Sequence, residues 1–127
     1  MDRRTLGLSL LLATTVASAE AIPSLIGPVS DIKVIEDGLG PLQENCADFR
    51  VSPEAVADFL HHAILITPRQ EHDWYLYGPC QAHGTFNTRY GQWQWQMLNM
   101  GTARITAVTG EHFMLADPRE ESSPEDQ

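Results

Sequence analysis

From Gln92 to Leu98 the chain alternates strictly, with Trp93, Trp95 and Met97 on one parity and Gln92, Gln94 and Gln96 on the other. Successive side chains of a strand point to opposite faces, so this run reads as a strand with one apolar and one wet face. No other feature limits the fold as much, because a helix would scatter the three apolar residues around its circumference. The neighbouring runs repeat the pattern. Thr102 to Val108 sets Ala103, Ile105 and Ala107 against Thr102, Arg104 and Thr106, and His112 to Ala116 sets Phe113 and Leu115 against His112 and Met114. Gln81–Thr88 and the aromatic-rich His72–Tyr77 read as two further strands, with Gly78-Pro79 breaking the chain between them. Arg89-Tyr90-Gly91, Asn99-Met100-Gly101 and Thr109-Gly110-Glu111 are short and contain Gly, as hairpin turns do. The stretch from His72 to Asp117 is therefore expected to be an antiparallel meander.

Upstream, Ser52 to Ile64 reads as the one clear helix. Ser52 is a suitable N-cap, Pro53 occupies a position where its missing N–H costs nothing, and Glu54 suits the positive end of the helix dipole. Ala55, Val56, Phe59, Leu60 and Ala63 recur at helical spacing and form one apolar stripe. That stripe is expected to cover the sheet face carrying Trp93, Trp95, Ile105, Phe113 and Leu115. Pro68 is expected to end the short segment after the helix. The fold class is α+β: one helix packed on an antiparallel β-meander of four to five strands, with one disulfide.

Four segments are expected. Residues 1–19 read as a secretory signal peptide, with Arg3 and Arg4 ahead of an apolar Leu6–Val16 run and Ala17-Ser18-Ala19 as the cleavage site, Ala21 being the alternative. The apolar run is about eleven residues against the roughly twenty that span a bilayer, so a membrane anchor is disfavoured. Residues 20–45 are loop-rich, punctuated by Pro23, Pro28, Gly38, Gly40 and Pro41, with Asp31–Glu36 as a candidate edge strand. Residues 46–117 form the α+β core. Residues 118–127 read as a disordered acidic tail.

Charge narrows the partners. The full chain carries 8 Lys and Arg against 17 Asp and Glu. Removal of Asp2, Arg3 and Arg4 with the signal leaves a mature net charge of about −10. No basic footprint for nucleic acid or an anionic membrane surface exists. A periplasmic or secreted location in a bacterium is expected, with no membrane anchor after cleavage.

In an oxidising compartment the two cysteines, Cys46 and Cys80, are expected to pair, joining the segment before the helix to the start of the second meander strand. Redox pairs usually lie close together as C-x-x-C, and these do not. The five histidines, His61, His62, His72, His83 and His112, invite a metal reading, but no H-E-x-x-H or H-x-H spacing supports one, and no metal or cofactor is expected. His62 lies four residues after Asp58, a surface helix pair. No G-x-S-x-G or phosphate-binding loop is present, and no catalytic residue is assigned. The candidate partner-contact residues are Tyr75, Tyr77, His83 and Arg104. If the helix covers one face only, parity leaves both tyrosines exposed beside His83 and Arg104.

The stretch Trp74-Tyr75-x-Tyr77-Gly78-Pro79-Cys80-Gln81-Ala82-His83-Gly84-Thr85, then Trp93-x-Trp95-x-Met97, then Gly101-Thr102-Ala103, resembles a group of small secreted proteobacterial proteins of uncharacterised function. The resemblance implies an exported, disulfide-linked α+β domain and nothing about catalysis. Where that group tends to have Gly-Gly in the hairpin, this chain has Met100-Gly101. Together these features lead us to expect a small non-catalytic binding protein of the envelope with a protein partner in the periplasm, for instance an inhibitor or a toxin-immunity protein. The alternative is a small periplasmic metal-dependent or hydrolytic enzyme using His72, Asp73 and His83.

Overall fold

The computed structural model describes residues 21–120. The expected signal peptide and the 121–127 portion of the acidic tail lie outside the described residues. Within them, one antiparallel sheet organises everything. Its strands are β1 (Ser30–Leu39), β2 (Ile64–Leu65), β3 (Gln81–Thr88), β4 (Gly91–Leu98), β5 (Thr102–Thr106) and β6 (His112–Ala116), in the spatial order β1-β3-β4-β5-β6-β2. The sheet thus has six strands, not four to five. The meander expected from parity is present over β3 to β6, and Gly91, Gly101 and Gly110 take positive φ at the three turns.

Register stacks the large apolar side chains into one layer. Phe86 faces Trp93 across β3 and β4, Trp95 faces Ile105 across β4 and β5, and Ile105 faces Phe113 across β5 and β6. The Phe86 and Trp93 rings stack with centroids 6.0 Å apart, and Phe113 lies 6.2 Å from Trp93. Both indoles satisfy their N–H: Trp93 Nε1 donates to Thr88 Oγ1 at 2.9 Å and Trp95 Nε1 to the Thr85 carbonyl at 3.2 Å.

Gly84 sits directly opposite Trp95. A methyl group there would collide with the Lys33 carbonyl of β1 and come within 2.7 Å of the Trp95 ring. The glycine therefore admits the indole and the edge strand at the same point.

The apolar face is covered by α2 (Pro53–His62) and α1 (Ile22–Ile26). Ser52 caps α2 as expected, its Oγ accepting from Ala55 N at 3.1 Å. Val56, Phe59, Leu60 and Ala63 are buried in the core. Ala55, placed on the stripe by spacing, is exposed instead. The segment expected to be loop-rich contributes both α1, whose Ile22 is buried and donates its N–H to the Ala63 carbonyl at 2.9 Å, and the ten-residue β1. β1 pairs with β3 through an irregular register, and such bulges blunt an exposed edge.

Further expectations fail after α2 and at the chain end. His72–Tyr77 is not a strand: α3 spans Pro68–Trp74, and residues 75–80 are irregular. The reason is a capping box. Thr67 Oγ1 accepts from Gln70 N at 3.1 Å while Gln70 Oε1 accepts from Thr67 N at 2.8 Å, with Pro68 at the first helical position. Pro68 therefore starts a helix where it was expected to end a segment. The acidic tail is also not featureless from its start, because Pro118–Glu120 forms a 3-10 turn anchored on a buried Asp117.

The Cys46–Cys80 disulfide is present, with the two residues 34 apart in sequence. Cys46 opens the 3-10 turn Cys46–Asp48, and Cys80 immediately precedes β3. Both are buried, and a methyl on Gly40 would lie 2.5 Å from Cys46 Sγ, so the bond is enclosed by the end of β1.

Cys46→Ala and Cys80→Ala should each cost about 2 to 5 kcal/mol, and the double variant little more than either single, since the pair shares one bond. Urea unfolding of the three proteins checks this, and equal additive losses would contradict it. Gly84→Ala should cost about 3 kcal/mol, because the obstructing atom is backbone and cannot swing aside. The same unfolding measurement should show a loss of that size; a change under half a kcal/mol would rule out the close approach.

Candidate functional site

Parity that buries Trp93, Trp95 and Ile105 turns His83, Thr85, Gln94, Gln96, Arg104 and Thr106 to the other face. These side chains line a cleft of about 460 Å³ on that face, with the exposed Ile35 at its rim. The pairing register arranges them in two parallel rows over β3, β4 and β5, each continued onto β1 by a residue beyond the cleft lining. One row reads Glu36, His83, Gln96, Arg104 over β1, β3, β4 and β5; the next reads Lys33, Thr85, Gln94, Thr106 over the same strands.

The polar groups of the first row are partly committed. His83 Nε2 donates to Glu36 Oε1 at 3.0 Å, and Gln96 Nε2 donates to Gln81 Oε1 at 2.7 Å. The second row is freer. Among the described residues, the side chains of Thr85, Gln94 and Thr106 make no hydrogen bond to the protein.

Arg104 is distinctive. Six Lys and Arg residues are described, and five have a partner. Lys33 lies 4.0 Å from Asp31, Arg50 3.5 Å from Asp37 and Arg69 3.4 Å from Asp73. Arg89 lies over the Tyr90 ring, and Arg119 pairs with Asp58 and Asp117. Arg104, in the cleft, has neither acid nor ring as a partner among the described residues. In a chain of net charge −9 that is a lone positive point on an uncovered face.

The four candidate contact residues do not assemble. His83 and Arg104 share the cleft just described, while Tyr75 and Tyr77 line a separate one of about 360 Å³ with Leu98 and Thr102. Tyr75, expected to be exposed, is only 5% exposed, whereas Tyr77 is 83% exposed. The cause is the helix α3: a strand would have carried both rings alongside His83, but the helix delivers the chain onto the far end of the sheet face, where Tyr75 packs down. Cys46 and Cys80 are bonded to each other as expected.

The alternative enzyme set is likewise divided. His72 and Asp73 are neighbours on α3, with His72 Nδ1 3.1 Å from Asp73 Oδ1; hydrogen bonds from His72 and then Arg69 hold the Asp73 carboxyl below its ordinary value. His83 instead faces Glu36 across β1 and β3 and lines the other cleft. His72 is on a helix, not a strand as expected. His62 pairs with Asp58 as the spacing predicts, at 3.5 Å. Among the described residues, no group of three or more His, Cys, Asp or Glu is placed to hold a metal ion. None of the described helices is long and apolar enough to cross a membrane.

One cluster escapes the sequence pattern. Asp117 Oδ2 accepts from Arg119 Nη2 at 2.6 Å and from Nε at 3.1 Å, Asp117 Oδ1 accepts from Arg119 N at 2.9 Å, and Arg119 Nη2 also reaches Asp58 Oδ2 of α2 at 2.9 Å. The clamp ties the chain end to the covering helix, and Asp117 N donates to the Gly101 carbonyl at 2.8 Å. Asp-Pro-Arg is a readable turn signal, but nothing in the sequence places Asp58 beside it.

Among the described residues, the fold is α+β with one sheet face covered and the other largely open. No protein-family model, no curated protein and no solved structure matches the chain.

The clamp carries a pH prediction. Burial opposes the charge on Asp117, but hydrogen bonds from Arg119 outweigh it and hold its carboxyl below the ordinary value; Asp58 is lowered too, chiefly by its bond from Arg119. A carboxyl whose folded pKa is depressed contributes stability that is present above the unfolded value and lost as pH falls through the folded one. The clamp's contribution should thus be complete at pH 7 and fade below about pH 4. Asp117→Asn should cost about 1.5 to 3 kcal/mol at pH 7 and much less at pH 2, read by thermal unfolding across that range. A pH-independent difference would mean that the carboxylate charge is not what matters.

Proposed function

We propose that this chain is a small exported, non-catalytic binding protein of the bacterial envelope, which engages a polypeptide ligand in the periplasm through the open face of its sheet. The observation that carries the reading is Arg104, without an acid or ring partner among the described residues, in a cleft beside Thr85, Gln94 and Thr106, whose side chains make no hydrogen bond to the protein. Hydroxyl and amide groups side by side on a solvent-facing cleft are available to a ligand that replaces their water. Export rests on the Met1–Ala19 leader and is compatible with the disulfide. The resemblance to small secreted proteobacterial proteins points the same way. The enzyme reading draws no support from geometry, since His83 lies apart from the His72-Asp73 pair.

The test is capture from undialysed periplasmic extract on immobilised, oxidised protein at micromolar concentration. Saturable retention of a polypeptide is expected, lost in Arg104→Glu and kept in Ala57→Arg on the exposed side of α2. No retained polypeptide, or one held equally by both variants, would count against the open face.

A further inference from the structure

The row Glu36, His83, Gln96, Arg104 is electrically lopsided. A carboxylate stands at one end, a guanidinium at the other, and hydrogen-bonding side chains lie between. We propose that this row binds a short oligopeptide with free ends, about four residues long, its carboxylate on Arg104 and its amino group on Glu36. The inference rests on the open-face reading above and goes further by naming the ligand.

Length supports it. β1 and β5 are three strand steps apart in the sheet, roughly 14 Å at about 4.8 Å per step. An extended chain covers about 3.3 to 3.6 Å per residue, so four residues span the same interval. Charge supports it as well. A guanidinium offers two parallel N–H groups to a carboxylate, and no protein acid occupies the Arg104 guanidinium. At the other end His83 takes Glu36 Oε1 and leaves the second carboxylate oxygen for an ammonium group. Lys33, also on β1, is directed to Asp31 at 4.0 Å.

The middle of the row suits peptide groups. Donation of Gln96 Nε2 to Gln81 leaves the Gln96 carbonyl oxygen free to accept a ligand N–H. Gln94, with Thr85 and Thr106 on either side, supplies both donors and acceptors for ligand carbonyls and amides. The cleft holds His83, Gln96 and Arg104, with Glu36 just beyond its lining, and its volume of about 460 Å³ falls within the range of small-ligand sites. A ligand charged at one end only would leave one pole of the row unanswered.

The experiment is titration of the oxidised, isotope-labelled protein with tetraglycine at millimolar concentration, followed by amide chemical shifts, alongside tetraglycine amide, N-acetyl-tetraglycine and acetate. Shifts should be confined to β1, β3, β4 and β5. Amidation should weaken binding about tenfold or more, as one charge-assisted contact is lost. Arg104→Gln should weaken tetraglycine to the same degree and leave the amide unaffected. Glu36→Gln and N-acetylation should behave likewise at the other end. Unchanged melting temperatures establish that both exposed-site variants fold. Absence of shifts, indifference to blocking either end, or acetate binding as tightly as tetraglycine would each overturn the proposal. If the titration fails while Arg104→Glu still abolishes capture from extract, the oligopeptide assignment falls and the binding reading stands. If both fail, the open face is not a ligand surface.

Discussion

The contact on which the rest of the molecule depends is the Trp95 indole lying against Gly84. Glycine within a strand costs up to about 1 kcal/mol relative to alanine. Here the missing side chain lets two things meet that otherwise could not: the ring from β4 and the Lys33 carbonyl from β1. The edge strand can therefore pair closely with β3 while the core layer stays continuous beneath it. Register is locked by the same contact. A one-residue slip of β4 would drive Gln94 and Gln96 into the apolar layer and lift both tryptophans into water. The pair thus fixes which residues face out, and so fixes the two polar rows.

Covering of the two faces is unequal, and the inequality has a cause in chain length. α2 and α1, together with the turn tied by Cys46–Cys80, spread over the apolar face and bury it. Among the described residues, the chain over the other face is α3 and the residues up to Cys80, and the capping box commits seven of those residues to a helix at one end. What remains reaches Leu98 and Thr102 but not Gln94 or Arg104. Among the described residues, the centre of the face is left uncovered because this connection does not reach it.

Much of this architecture is legible in the sequence. The strands β4 to β6 follow from parity, because a half-buried strand writes its burial directly into alternate residues, and β3 follows from the turn signals on either side of it. α2 follows from Ser52, Pro53 and its stripe, and the disulfide from there being two cysteines. α3 is misread because Trp74, Tyr75 and Tyr77 have strand-favouring side chains, and their composition outweighs the Thr67-Pro68-x-Gln70 signal that prevails in the structure. β2, two residues long, is too short for any pattern to declare it. Of the candidate site, parity places His83 and Arg104 on a shared face; Tyr75 is lost with the helix. The Asp117–Arg119–Asp58 clamp is hidden because its members are 61 residues apart and one lies in a segment whose composition reads as solvated.

The position of Arg104 is not explained by the fold. An exposed guanidinium on a sheet contributes little to stability unless something answers it. The chain carries 17 acids for the purpose, and the ion-paired cations have each found one. Register denies Arg104 the same opportunity, since its cross-strand neighbours are Gln96 on β4 and Met114 on β6, neither charged. The result is a positive point held inside a negative field, with the nearest acid of its own row three strands away and engaged by His83. Charge along the row therefore runs from a guanidinium on β5 to a carboxylate on β1, a polarity that the pairing register alone imposes.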